Sequence, residues 1–407
     1  MSTQYDCIII GAGPAGTSCA LYAAQAGLRV LLLDRERFPR EKVCGDFLPR
    51  RARVCLQDLG LLARLEEMPH VRLQYMALGA PSGSVARIPF CPPSVQPPGY
   101  VAYVCRRFLL DAMLVEAARS CVDVGEGFVV EDLLRHDGAV IGVRGRDAGG
   151  TEQRLTARVV VGADGNRSIV ARRLGLYALE PRHRAVALRG YYRGVAGDSH
   201  TAEVHFLKSL RPGYLWIFPA GDGLMNVGVG MLRHTLQRRR GSLRRLLHEA
   251  LHSEPMDRRF HAAECVERIV GWDLPLGSLR RTVHGDGFVL AGDAAGLVNP
   301  FSGEGIGNAM WSGRLAAQAV AAACAADDAS ASMLRMYSQQ LWEELGPELK
   351  LSHQLQRLGR VPGLLNLVLG RAASRPEVAD WVGRILCGAI PKSTLRSPLT
   401  YLRLLFQ

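Results

Sequence analysis

The chain has 407 residues, 48% of them hydrophobic, which is enough to bury more than one core without help from disulfides or metals. Its formal net charge of +12 is carried almost wholly by arginine, because Lys42, Lys208, Lys350 and Lys392 are the only lysines. No apolar run approaches the roughly 18 to 20 residues of a membrane span, Asp6 and the early glycines break any secretory signal, and the scattered cysteines show neither a CxxC pair nor metal-ligand spacing.

A cytoplasmic protein with reduced thiols and no metal site is therefore expected. No nucleic-acid recognition motif is present. The arginine excess reads as base composition of the gene or as attraction of an anionic substrate or membrane surface, so peripheral membrane contact stays open.

In chain order, Tyr5 to Ile10 is an isoleucine-rich run suited to a buried parallel strand. It enters Gly11, Gly13 and Gly16 in GxGxxG spacing, then an alanine-rich helix, a second apolar run from Arg29 to Leu33, and Asp34 at its end. One glycine permits the tight turn, the next lets a pyrophosphate approach the backbone, and the third lets helix pack on strand. The helix amides then meet the anion, and the Asp34 carboxylate can accept from adenosine ribose hydroxyls. This opening serves NAD and FAD alike.

Next come the segment Arg37 to Asp46, reading RFPREKVCGD, and a proline-, glycine- and serine-dense stretch from Gly79 to Gly99 that predicts a loop between domains, at the substrate entrance. Arg106 and Arg107 open the helical run RFLLDAML, and Val159 to Ala163 reads as a strand followed by Asp164-Gly165 and Ser168. Residues from about 176 to 275 alternate as strands, including His205 to Leu207 and Tyr214-Leu215-Trp216-Ile217-Phe218-Pro219, followed by Asn226-Val227-Gly228-Val229-Gly230. Between these and the next motif, Arg233 to Arg245 reads as a solvated charged loop or part of a basic surface. Gly287 to Ala291 is a further strand, entering Gly292-Asp293; Asn299 to Gly307 carries Pro300, Gly303, Gly305 and Ile306 ahead of an apolar helix from Asn308 through Ala323. The pattern is helical from Leu315 onward, and the tail from Gly359, with Leu402 to Phe406 at its end, reads as a helical cap or an interfacial surface.

GxGxxG, a DG segment and a GD segment in this order resemble the FAD-dependent oxidoreductases of the aromatic-hydroxylase type. KVCG at 42–45 together with the aromatic YLWIFP and VGVG segments resembles the geranylgeranyl reductase family more narrowly; the second glycine common after CG in that family is Asp46 here. Flavin halogenases carry a related aromatic segment, but Tyr214 and Phe218 do not match it.

The resemblance implies bound FAD, with Gly11, Gly13, Pro14, Ala15, Gly16, Asp34, Arg35 and Asp164 among the residues that hold it and Arg107 or Arg106 near its pyrophosphate. It places Gly292, Asp293, Pro300, Gly303, Gly305 and Ile306 along the ribityl chain and flavin, where the positive end of the following helix would stabilise charge on the reduced ring. By the same resemblance Cys44 and Gly45 are cofactor-binding, and Cys44 also takes a catalytic role. Tyr214, Trp216, Phe218 and Pro219 read either as core packing or as the wall of a substrate pocket.

The expected fold is α/β, a Rossmann-type FAD-binding domain (1–75, 100–175 and 276–345) with an inserted β-sheet substrate domain (76–99 and 176–275) and a helical C-terminal region (346–407). No second fingerprint for a nicotinamide domain is present, so NAD(P)H, another reductant or a donor protein reaches the flavin transiently. The expected reaction is reduction of carbon–carbon double bonds in an isoprenoid or related hydrophobic substrate; the alternative is hydroxylation of an aromatic or polycyclic metabolite with O₂.

Overall fold

A computed structural model describes residues 5–92, 95, 102–177, 180–359, 361–386 and 390. The strand Tyr5–Ile10 runs parallel between Glu152–Gly162 and Val30–Asp34, and the sheet extends to Phe288–Leu290 on one side and Asp123–Glu126 on the other. Residues Cys7 to Ile10 are buried, as a strand covered on both faces requires. The helix Pro14–Gln25 packs against the long helix Ile306–Ala325 so closely that a Cβ on Gly313 would lie 2.2 Å from the Ala15 carbonyl oxygen. The apolar helix therefore begins at Ile306, inside the glycine-rich segment rather than after it.

A second sheet is mainly antiparallel. Arg184–Arg193, Leu224–Leu232, Tyr214–Gly221 and Thr201–His205 lie side by side, and Tyr75–Gly79 joins the last of these in parallel. Alternation sets its two faces. Leu215, Ile217, Val227 and Val229 point to one side and bury Leu243, Leu246 and Leu247 of the helix Leu243–Leu251, while Tyr214, Trp216 and Phe218 point to the other.

Two expectations are corrected here. The stretch from Arg233 to Arg245 is not a loop but the helix Arg233–Arg239 and the start of Leu243–Leu251. Buried leucines at 243, 246, 247 and 251 give it an apolar face at helical spacing, which the flanking arginines obscure. Nor is Gly79 to Gly99 a continuous loop: Val85–Pro89 pairs antiparallel with Tyr75–Gly79. Its alternate residues Ala86 and Ile88 pack on Ala372 and Val378 of the tail; residues 93, 94 and 96–99 lie outside the described residues.

The tail forms the helices Gly346–Leu358, Pro362–Ser374 and Pro376–Leu386, while Cys387 and Leu402 to Phe406 lie outside the described residues. The nine described cysteines are free thiols. Among the described residues no helix is long and apolar enough to cross a membrane, and no cluster of metal-binding side chains occurs.

Candidate active site

One cavity of about 1630 Å³ runs from the glycine loop, past the aromatic strand, to the tail helices. At its first end the backbone does the shaping. Gly11 has φ +99°, and a Cβ there would sit 2.5 Å from the Ala163 carbonyl oxygen; one on Gly16 would sit 1.8 Å from the Gly11 carbonyl oxygen. Only glycine fits either position. Gly13, Pro14 and Ala15 line the cavity, whereas Gly16 is buried beneath them and acts through packing.

Asp34 and Arg35 line the same end. Asp34 is fixed by two amides, Ala12 N–H donating at 2.7 Å and Glu36 N–H at 2.9 Å. Asp164 accepts from the Ile169 amide at 2.6 Å through Oδ2, and its other oxygen is buried with no partner among the described residues. Asp293 lines the cavity near Lys42 and Arg107; burial pushes its carboxyl up and those two cations pull it back. A buried acceptor lacking a donor, carboxylates facing the cavity, and a loop with no room for a side chain at Gly11 or Gly16 together fit a dinucleotide rich in hydroxyls and anionic oxygens.

Over the loop stand two guanidiniums. Arg107 is buried and makes a bidentate pair with the buried Asp111, at 2.6 and 2.7 Å, and Arg40 reaches the same carboxylate at 3.1 Å. Both approach the position a Cβ on Gly13 would take, Arg40 at 3.8 Å and Arg107 at 3.9 Å. Two cations on one carboxylate leave net positive charge beside the loop. Arg106 is different. It does not line the cavity, but pairs with Glu267 at 2.7 Å and Glu41 at 3.3 Å and covers the Tyr191 ring.

At the second end the two segments singled out in the sequence meet. Gly45 lies under the aromatic strand, where a Cβ would be 3.3 Å from the Phe218 ring and 3.6 Å from Trp216 Nε1. Trp216 donates from Nε1 to Asn226 Oδ1 at 2.9 Å, and Asn226 Nδ2 donates to the Cys44 carbonyl at 2.8 Å and to Asp46 Oδ2 at 2.7 Å. The VGVG segment has a steric cause as well: a Cβ on Gly228 would be 2.2 Å from the Trp216 indole. Pro219 continues the strand but does not line the cavity.

Asp46 has φ +64°, the left-handed region where glycine is at ease and other residues are strained. Its carboxylate is buried and compensates by accepting from Tyr191 Oη, Asn226 Nδ2 and the Arg107 amide. Burial pushes its carboxyl above the usual range, against the pull of Tyr191 and Asn226. The thiol of Cys44 lines the cavity and is likewise pushed up by burial, with Arg107 opposing, so it rests as a protonated thiol.

The glycine-rich segment closes the site. Gly303 has φ +71° and a Cβ there would be 2.7 Å from Tyr214 Oη, whose hydroxyl donates to the Ser302 carbonyl at 2.7 Å. Pro300, Gly303, Gly305 and Ile306 line the cavity. The first-turn amide of Gly307 donates to Glu304 Oε1 at 2.6 Å, so one end-amide of the helix is already capped. Gly292, φ +60°, is buried behind Asp293 and donates its amide to Ser312 Oγ at 2.9 Å.

Sequence reasoning assigned no role to Arg40, Lys42, Tyr191 or Asn226. The cations inside RFPREKVCGD were a usable signal, as was a polar Asn226 at the head of an apolar strand. Lys42 lies 3.3 Å from the centre of the Trp272 ring and faces the cavity, where burial lowers its ordinary value of 10.5 to about 7, Asp293 opposing and Arg107 and Arg40 adding to the effect.

The parallel sheet with its glycine loop, joined to an antiparallel sheet that walls a large cavity, defines a dinucleotide-dependent oxidoreductase. The FAD binding domain family matches residues 4–341, and the chain belongs to it as an FAD-dependent oxidoreductase of the geranylgeranyl reductase type. It is 32% identical to a menaquinone reductase of Mycolicibacterium smegmatis, covering 95% of this chain and 96% of that one. It is 34% identical to digeranylgeranylglycerophospholipid reductase 1 of Methanopyrus kandleri over 84% of this chain and 86% of that one. A geranylgeranyl bacteriochlorophyll reductase-like protein of Thermoplasma acidophilum shares the fold, with a TM-score of 0.83 and 22% identity over 96% of this chain and 98% of that one.

Proposed function

We propose that the protein reduces carbon–carbon double bonds of an isoprenoid or related hydrophobic substrate. The observation that carries this reading is the lining of the cavity beyond the aromatic wall. Leu364, Leu365, Val368, Trp381, Val382 and Ile385 of the tail face Met76, Leu78, Ile88 and Phe90 across it, a surface for hydrocarbon rather than for a polar metabolite. The menaquinone and digeranylgeranylglycerophospholipid reductases to which the chain is similar act, by their names, on molecules of this kind.

In this reading Gly11, Gly13, Pro14 and Ala15, with Arg40 and Arg107, would hold the pyrophosphate, Asp34 and Arg35 the ribose, Asp164 and Asp293 would accept from the linking chain, and Ile306 with the glycine segment would hold the flavin. When bound, FAD supplies the hydride. Trp216 and Phe218, held by Asn226 and seated on Gly45, orient the substrate alkene and keep water out, with Cys44 beside them. An external reductant, NAD(P)H or a donor protein, recharges the site. The two large sheets support the expected division into a discontinuous FAD domain and an inserted substrate domain, and the tail helices serve as a roof to the cavity at a membrane surface.

The test is product mass. Reduced protein incubated in air with a panel of prenyl lipids, quinones and polycyclic aromatics should return prenyl products heavier by hydrogen alone. Products heavier by an oxygen atom would replace this reading with hydroxylation.

A further inference from the structure

Apart from the large cavity lies a second concavity of about 770 Å³, lined by Arg182, His183, His234, Gln237, Arg238, His353 and Arg357. Its lining contains no carboxylate. It shares His234 and Arg238 with a third concavity of about 330 Å³, and that one shares Arg211 and Pro212 with the large cavity. The three spaces are thus joined in series by common walls. The helix Gly346–Leu358 spans the junction, showing His353 and Arg357 to the basic space and Leu355 and Gln356 to the apolar one.

The cluster is assembled from three distant segments, so its charge is a product of the fold. His183 is oriented by Ser278 Oγ at 2.9 Å from its Nδ1, and its ring lies 6.1 Å from that of His353. Glu180, outside the lining, lies 3.8 Å from His183 Nε2. By contrast the neighbouring Arg239 is spent on the backbone, donating to the Ser209 and Arg211 carbonyls. The side chains of Arg182, Arg238 and Arg357 are exposed and make no hydrogen bond or ion pair among the described residues. Next to Arg357 in the chain Leu358 (42%) and Val361 (52%) are exposed large apolar side chains, the first of them lining the large cavity. Three guanidiniums around a concavity whose lining holds no carboxylate, joined by shared walls to a hydrocarbon-lined space and near exposed apolar residues, match an amphiphile with an anionic head.

We propose that Arg182, His183, His234, Arg238, His353 and Arg357 bind the phosphate head group of an amphiphile whose hydrocarbon chain enters the large cavity. The chain half of this rests on the reading that the large cavity takes an isoprenoid; the phosphate half does not. The head group belongs either to the substrate itself or to an anionic lipid of the membrane that delivers it.

The experiment uses the FAD-loaded full chain and the triple variant Arg182→Gln, Arg238→Gln, Arg357→Gln. A charge-matched control, Arg64→Gln, Arg193→Gln, Arg268→Gln, removes the same charge from exposed positions elsewhere. Binding of geranylgeranyl diphosphate, geranylgeraniol and inorganic pyrophosphate is followed by calorimetry, and binding to phosphatidylcholine vesicles with and without phosphatidylglycerol by flotation; flavin absorbance and melting confirm that each variant is folded. The parent and the control should bind a phosphate-bearing probe about tenfold or more tightly than the triple variant. Preference for the diphosphate over the alcohol assigns the head group to the substrate, and preference for phosphatidylglycerol vesicles alone assigns it to the membrane; either supports the site. Equal binding of every phosphate-bearing probe by parent and triple variant overturns it. Failure of geranylgeraniol to bind while pyrophosphate binding still depends on the three arginines strikes only the isoprenoid reading of the large cavity.

Discussion

On the loop side of the cavity the backbone makes the site, whereas on the aromatic side side chains make it. Gly11 and Gly16 are fixed by what a Cβ would strike, so their role is written in residue type and spacing alone. Trp216, Asn226, Asp46 and Tyr191 are fixed by one another, across separations of 10, 180 and 145 residues. The difference teaches that the two sides should fail differently: a change at the loop removes the cofactor, and a change at the wall leaves the cofactor but loosens the alignment of whatever lies against it.

The largest effect should come from Gly16→Ala, because the contact it creates is with backbone that cannot move aside. It is expected to yield protein without FAD absorbance and less stable by on the order of 4 kcal/mol in chemical denaturation. Retention of stoichiometric FAD would break the comparison. Asp111→Ala comes next, since it leaves the buried Arg107 without its counter-charge; a loss of about 3 kcal/mol and weakened FAD retention are expected by the same measurements.

On the wall side, Asp46→Ala combines a strained φ with the loss of the acceptor for Tyr191 and Asn226, and should cost about 2 kcal/mol. Asp46→Asn tolerates the backbone conformation and should cost about half as much. Both should stay yellow, with a raised KM for substrate; a colourless Asp46→Ala protein would show that the wall also carries the cofactor.

The smallest effect is a pH dependence. In the cofactor-stripped chain Lys42 has a folded value near 7 against an ordinary 10.5, so between these pH values the unfolded chain binds the extra proton and stability rises with pH. The destabilisation is present in full below about pH 7. Lys42→Met should flatten that part of the stability curve, and an unchanged slope would mean that Lys42 reaches water.

What was legible in the sequence follows the same line. The fingerprint, the Asp164 and Asp293 strand ends, and the glycines at 303, 305 and 307 were readable because backbone geometry restricts residue type locally, although the helix starts at Ile306 and not at the expected Asn308. That Tyr214, Trp216 and Phe218 share one face followed from alternation, but alternation serves core packing equally, so the lining of the cavity by this face was not legible. The Asp46 network was not legible, because it depends on the register that sets Tyr191 opposite Asn226. Arg40 joining Asp111 depends on the path of the chain through the site, and the strand Val85–Pro89 hid among prolines and glycines because its burial partners, Ala372 and Val378, lie almost three hundred residues further on.

The most direct test of the central claim is to reduce the FAD-loaded protein without oxygen, mix it rapidly with a prenyl substrate, and follow flavin absorbance. The oxidised flavin spectrum should return without oxygen, in step with the appearance of saturated product, and more slowly in Asp46→Asn. A flavin that stays reduced until air is admitted, and then yields hydroxylated product, would contradict that claim.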